Sequence, residues 1–287
     1  MTYEGISKVP KNSGRGREIT CSRAAKRITS RDNALYKTLA RLASSSRERR
    51  AQRAALLDGP HLVASYRASG GTAETLVASE SGYARGEIRA LFDETPARAR
   101  VLLADRLFDS LAQVATPTGI LAVVQTPGAS ALPEQLETCL LLEGLQDPGN
   151  LGSILRTAVA AGVRQLFLGP GCVFAWAPKV LRAGQGAHFA LSIHEGVALA
   201  PLAARFPGIV VATDPRAAVS VFDLDLAGPV AWIFGGEGAG VSPETGARAT
   251  VRARIPMPGS AESLNVAAAA AVCLFEQVRQ RARRGTA

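Results

Sequence analysis

Short apolar runs alternate with helical patterns through the second half of the chain, and this alternation constrains the fold more than any other feature. Strand-like runs fall at Cys139–Leu142, Gln165–Leu168, Ile209–Ala212, Val230–Phe234 and Val251–Ile255. Helical patterns lie between or after them at Leu151–Ala161, Pro178–Ala183, Ala198–Arg205 and Ser263–Gln280. Strands that alternate with helices predict an α/β fold, a mostly parallel sheet with helices on its faces. The last helical run carries five consecutive alanines, Ala267 to Ala271, a small-residue face that lets another backbone approach closely.

The first half is organised differently. Residues 1–27 are rich in Gly, Ser, Lys and Arg without apolar period, which predicts a flexible basic arm. Ser30-Arg31-Asp32 is read as the cap of a helix with Leu35, Leu39 and Leu42 on its apolar face and Lys37, Arg41, Arg47, Arg49, Arg50 and Arg53 on its polar one. Apolar runs at 75–78, 100–103 and 119–124, with a helical stretch at 105–112, make residues 28–125 a small α/β unit. The Pro/Gly/Ala/Ser stretch within 126–136 reads as a linker, which leaves 137–287 as the second domain.

With 287 residues, of which 47% are hydrophobic and 20% charged, the chain has core enough for one large or two ordinary domains. Its longest apolar run, Val266–Phe275, stops far short of the ~18 residues of a membrane span. The start shows no apolar segment behind its charges, so no signal peptide is expected. Cys21, Cys139, Cys172 and Cys273 are scattered singly, and none of His61, His188 and His194 has a His or Cys at metal spacing. Reduced cytoplasmic thiols and no metal site are the expectation. The net charge of +9 sits wholly in residues 1–60, which hold 14 Lys+Arg against 5 Asp+Glu. Such an excess fits a phosphate-bearing partner and equally a solvated tail.

Three segments at the ends of predicted strands depart from ordinary composition, and open α/β sheets place ligands there. The first runs from Glu143 to Arg156, where an Asp-Pro-Gly-Asn turn puts Asn150 in position to cap the following helix. The second, Phe234 to Ser242, has four glycines around Glu237 but matches neither a dinucleotide fingerprint nor a phosphate loop. The third, Ile255 to Asn265, is a Pro/Gly-stiffened loop whose Ser263 can cap the alanine-rich helix.

Taken in order, Asn150-Leu-Gly152-Ser-Ile-Leu-Arg156-Thr157-Ala158, Gly235-Gly-Glu237-Gly238-x-Gly240 and Ile255-Pro256-Met257-x-Gly259-x-x-x-Ser263-Leu264-Asn265 resemble the SpoU (TrmH-like) family of the SPOUT superfamily, RNA 2′-O-ribose methyltransferases. Residues 28–33 with Lys37 and Leu42, and residues 116–123, resemble the two ends of that family's ribosomal-protein-like substrate-binding domain. The resemblance implies a C-terminal trefoil-knotted methyltransferase domain, where pattern reading alone gives a plain doubly wound sheet. It also implies S-adenosyl-L-methionine as cofactor, held by Gly235, Gly236, Ile255, Met257 and Leu264. By the same resemblance Asn150, Arg156, Glu237, Ser263 and Asn265 surround the methyl-transfer centre, and the protein is a homodimer. A ribose hydroxyl is a weak nucleophile, so some group must accept its proton. Arg156 is the family's nominee as base, yet an arginine stays protonated, which favours an orienting role. RNA is the implied partner, 23S rRNA before tRNA, with Arg31, Lys37, Arg47, Arg49 and Arg50 as its contacts; an RNA-binding assembly factor that has lost turnover is the non-enzymatic alternative. The chain departs from the family's usual pattern at Gly184, where many relatives carry Ser, and at Asp58-Gly59.

Overall fold

A computed structural model describes residues 24–112, 114, 116–128 and 131–285. The basic segment up to residue 23, Cys21 included, lies outside the described residues.

The first unit contains β1 (Ala25–Ile28), α1 (Ala34–Ser44), α2 (Ser46–Gln52), β2 (Ala54–Asp58), α3 (Pro60–Ala68), β3 (Ala73–Ser79), α4 (Glu80–Ala84), α5 (Gly86–Glu94), β4 (Ala97–Leu103), α6 (Asp105–Asp109) and β5 (Ile120–Gln125). Its sheet has the order β1-β4-β3-β5-β2, parallel from β1 through β3 and antiparallel beyond. Residues 25–27, expected in the arm, instead pair with Arg100–Leu102 as part of β1.

The single basic helix of the sequence reading is two helices. Ser45 ends α1 in extended backbone and caps α2 by accepting from the Glu48 N–H at 3.1 Å. Asn33, not Ser30, caps α1, accepting from the Leu35 and Tyr36 amides. Ser30 instead accepts from the Asp32 amide in the preceding turn. Both ends of the predicted linker are packed: the Thr126 N–H donates to the Arg53 carbonyl, and Leu136 is buried in the core of the second unit.

The second unit contains β6 (Cys139–Glu143), α7 (Pro148–Ala160), β7 (Gln165–Leu168), α8 (Pro178–Gly184), β8 (Ser192–Glu195), α9 (Leu199–Ala204), β9 (Ile209–Thr213), β10 (Val219–Ser220), β11 (Val230–Gly235), α10 (Pro243–Gly246), β12 (Val251–Arg254) and α11 (Val266–Arg284). Its strands form one parallel sheet ordered β10-β12-β9-β11-β6-β7-β8. From β6 the chain builds outward through β7 and β8, then crosses to the other side. The strand order therefore reverses between β6 and β11, where Gly235 stands opposite Glu143. Beyond the C-terminal ends of strands at such a reversal, an open sheet leaves a crevice for ligands.

β6, β7 and β11 are buried almost throughout, as strands covered on both faces must be. Trp232 of β11 is fully buried, and its indole N–H donates to Gln277 Oε1 at 3.0 Å, which ties the sheet to α11. Burial pushes the Cys139 and Cys273 thiols up to about 12, so both are poor nucleophiles at neutral pH. His188 is held down to about 4 by burial, and a Cβ at Gly184 would press on its ring at 2.8 Å. A side chain at 184 and the buried imidazole at 188 therefore compete for one space.

The two units share a continuous apolar core. Leu57, Leu62 and Val63 of the first join Val180, Leu181 and Ala187 of the second, and the Tyr66 and Phe189 rings lie 5.2 Å apart. No described helix is long and apolar enough to cross a membrane.

Candidate active site

The first segment places its polar residues differently from the sequence reading. Asp147, not Asn150, caps α7: its Oδ1 accepts from the Asn150 N–H at 2.7 Å, with Pro148 in the first turn. Asn150 is thereby inside the helix, and its side chain is free to reach outward. Its Nδ2 donates to Glu237 Oε1 of the glycine-rich loop, and its Oδ1 accepts from Asn265 Nδ2 at 2.9 Å.

Asn265, rather than Ser263, caps α11, with Oδ1 accepting from the Ala267 and Ala268 amides at 2.9 and 3.4 Å. The cap fixes which way each amide faces. Asn265 must point its oxygen at the helix, so its nitrogen meets Asn150 Oδ1, so Asn150's nitrogen meets the Glu237 carboxylate. One polar residue from each of the three segments thus joins a single hydrogen-bond chain.

Glycines in the second segment are required for close packing within the protein. A Cβ on Gly235 would collide with the Gly240 backbone, and one on Gly236 would collide with the Gly144 carbonyl. Gly238 and Gly240 have φ of 86° and 65°, and the Gly240 N–H donates to the Gly236 carbonyl at 3.0 Å, closing the loop on itself. Glu143 at the end of β6 holds the loop's far side, where its carboxylate accepts from the Ser242 N–H at 2.9 Å and the Thr245 hydroxyl at 3.1 Å.

Beside this loop lies a cavity of about 660 Å³. Gly235, Gly236, Ile255, Met257 and Leu264 all line it, together with Glu237, Ser263 and Asn265. Leu264 is 38% exposed, a large apolar side chain left bare on the cavity wall. Among the described residues the Ser263 hydroxyl makes no hydrogen bond. An apolar wall facing backbone amides and a few polar side chains suits a molecule with a flat heterocycle and a polar arm. The cavity also fits S-adenosyl-L-methionine in size, since small-ligand pockets span roughly 300–1,000 Å³.

Arg156 stands apart. It lies six residues beyond Asn150 on α7, about 120° around the helix axis, so the two cannot share a face. It is exposed and has no hydrogen-bond or ion-pair partner among the described residues. Glu237 makes its side-chain hydrogen bond to Asn150 and none to Arg156.

The basic candidates of the first unit also separate. Arg31, Lys37 and Arg47 are exposed, with Lys37 paired to Asp32 at 3.2 Å. Arg49 is buried, and its Nη1 donates to the Leu42 and Ala43 carbonyls at 2.6 and 3.0 Å. The break between α1 and α2 turns this side chain inward, where it satisfies the last carbonyls of α1 rather than meeting a partner. Arg50 places its guanidinium 4.7 Å above the Phe174 ring of the second unit, a contact between the two units.

Sequence reading assigned no role to Glu143 or Asp147 and missed Thr213, Asp214, Arg252 and Arg254, which line the same cavity. The strand-end signal for Thr213 and Asp214 was present: they follow Ile209–Ala212 as Gly235 follows Val230–Phe234.

Residues 137–275 match the SpoU rRNA Methylase family. An uncharacterized tRNA/rRNA methyltransferase of Synechocystis is 35% identical over 267 residues, covering 88% of this chain and 93% of that protein. The chain belongs to the SpoU family. The 23S rRNA (guanosine(2553)-2′-O)-methyltransferase RlmP of Bacillus subtilis is 31% identical, over 87% of this chain and 98% of that one. Among solved structures, the SpoU methyltransferase AviRb of Streptomyces viridochromogenes in complex with AdoMet superposes with a TM-score of 0.78 at 28% identity, over 87% of this chain and 98% of that one. Membership spans both units, since these alignments extend well beyond residues 137–275.

Proposed function

We infer that this protein transfers a methyl group from S-adenosyl-L-methionine to a ribose 2′-hydroxyl of 23S rRNA. The observation that carries the reading is the Glu237–Asn150–Asn265 chain at the rim of the cavity, which joins three sequence-distant segments at the reversal point of the sheet. The names of RlmP and of the RlmB proteins, among them one from Xylella fastidiosa that is 40% identical over 148 residues, favour 23S rRNA over tRNA.

When bound, the cofactor supplies a methyl group activated by its sulfonium centre. The chain's own residues then have two tasks. Gly235, Gly236, Ile255, Met257 and Leu264 enclose the donor and exclude water from it. Asn150, with both ends of its amide fixed, locks the Glu237 carboxylate in place. That leaves Oε2 without a partner among the described residues and available to accept a hydrogen bond from an incoming hydroxyl. Fixing a hydroxyl in line with the methyl supplies orientation, and the carboxylate favours loss of its proton as the new C–O bond forms. Ser263, at the same rim, is a second group for orienting the ribose.

The finer parts of this reading are a trefoil knot through residues 235–265, a cytoplasmic homodimer and RNA capture by the first unit. Phe275, 48% exposed on α11, supports a second copy packing there. A second copy would also give exposed Arg156 a site to serve, through RNA phosphate or the ribose itself. Arg31, Lys37 and Arg47 are the exposed cations of the first unit offered to RNA phosphates.

Incubation with methyl-labelled cofactor and separate pools of bacterial rRNA and tRNA tests the reading. Label in the ribose of 23S rRNA is expected; label on a base, label confined to tRNA, or none in either pool overturns it. Arg156→Ala is expected to abolish turnover with adenosylhomocysteine affinity retained. Loss of that affinity would make Arg156 a cofactor residue instead.

A further inference from the structure

Two carboxylates line the cavity, and only one belongs to the hydrogen-bond chain described above. The other, Asp214, sits just past the C-terminal end of β9, held there by its N–H donating to the Ala253 carbonyl at 3.0 Å. Its side chain is 22% exposed. Oδ1 accepts from the Arg216 N–H at 2.9 Å, while Oδ2 has only a long contact, 3.5 Å, from Arg252 Nη1. An ionised carboxylate offers about four acceptor positions, so most of its capacity is unused on the cavity side.

We propose that Asp214 binds the 2′- and 3′-hydroxyls of the cofactor's adenosine ribose. The inference rests on the cofactor reading above and adds where the nucleoside lies. The reacting methyl must stand beside Asn150 and Glu237, at the β6/β11 end of the cavity. Asp214 is two strands away from β6, about 10 Å along the sheet. What reaches it is therefore a donor of the cofactor away from the sulfonium: the ribose hydroxyls, the adenine amino group or the ammonium of the amino-acid arm.

Local charge disfavours the ammonium, and a vicinal diol fills more of the open acceptor positions than one adenine amino group does. Arg252 and Arg216 approach the carboxylate at 3.5 and 3.8 Å, which leaves this corner net positive. An ammonium group gains little there. Neutral hydroxyls donate to the carboxylate in charge-assisted bonds without adding positive charge. Arg254 does not compete, since its Nη1 is committed to the Ala217 and Ala218 carbonyls.

Calorimetry on the whole protein, without RNA, tests this with three ligands: S-adenosylhomocysteine, 5′-methylthioadenosine, which lacks the amino-acid arm, and its 2′,3′-dideoxy analogue. Asp214→Asn is expected to weaken the first two alike, by about 10- to 100-fold, the range for hydrogen bonds to a charged group. The wild-type protein is expected to show a loss of similar size for the dideoxy analogue, a comparison that needs no variant to fold. Asp214→Asn should add little further loss with that analogue. Unchanged affinity in the variant, a loss seen with adenosylhomocysteine alone, or tighter binding of adenosylhomocysteine alone would overturn the proposal. The last two would assign this corner to the amino-acid arm. A wild-type protein that binds none of the three would overturn the cofactor reading as well.

Discussion

The N-terminal turns of α7 and the α1–α2 pair both carry polar residues that the sequence marked as functional, and the fold treats them in opposite ways. At α7, Asn150 is joined to Glu237 and Asn265 through short side chains whose directions are fixed by helix caps. At α1–α2, five long basic side chains that looked equivalent divide into a buried one, one stacked on another unit and exposed ones. Short side chains on capped helices are placed by the backbone. A long arginine is placed by whatever lies within reach of its flexible stem, and a one-residue break at Ser45 is enough to turn it from solvent into the core.

Substitutions on each side sharpen the contrast. Asn150→Ala frees Glu237 and removes the partner of Asn265, so kcat is expected to fall about 10²- to 10³-fold, the loss typical of one preorganised hydrogen-bond donor. Adenosylhomocysteine affinity, read by calorimetry, should stay within about threefold, because Asn150 does not line the cavity. An unaffected kcat would place the chemistry elsewhere. Arg49→Ala should lower stability by about 1.5–3 kcal/mol, the range for hydrogen bonds to charged groups. Urea unfolding checks this, and the salt slope of RNA binding should not move. A changed slope with unchanged stability would return Arg49 to the RNA-facing set. Arg47→Ala is the smallest effect: unaltered stability, and a log–log salt slope of RNA binding shallower by about one. Identical slopes would remove Arg47 from the interface.

Much of the second unit's sheet was legible because a parallel strand buried on both faces reads as an unbroken apolar run, as in Leu140–Leu142 and Val230–Phe234. β8 and β10 were not legible. β8 carries His194 and Glu195 within four residues, and β10 is two residues long at the sheet's edge. The caps were misplaced for a related reason. Asp, Asn and Ser all cap helices, and 147/150 and 263/265 each offer two such residues. Pro148 was the overlooked signal, since proline favours the first helical position and points to Asp147 as the cap. The four glycines around Glu237 marked the second segment as unusual without saying what approaches its backbone. The Gly240 backbone beside Gly235 and the Gly144 carbonyl beside Gly236 show that it is the chain itself that approaches there.

The account's central claim is that Glu237, Asn150 and Asn265 act as one unit. Single-turnover methyl transfer by Glu237→Gln, Asn150→Ala and the double variant tests it most directly. The account predicts that the double variant is no slower than the worse single one, because either change already breaks the chain. Losses that multiply, as they do for independent groups, would contradict it.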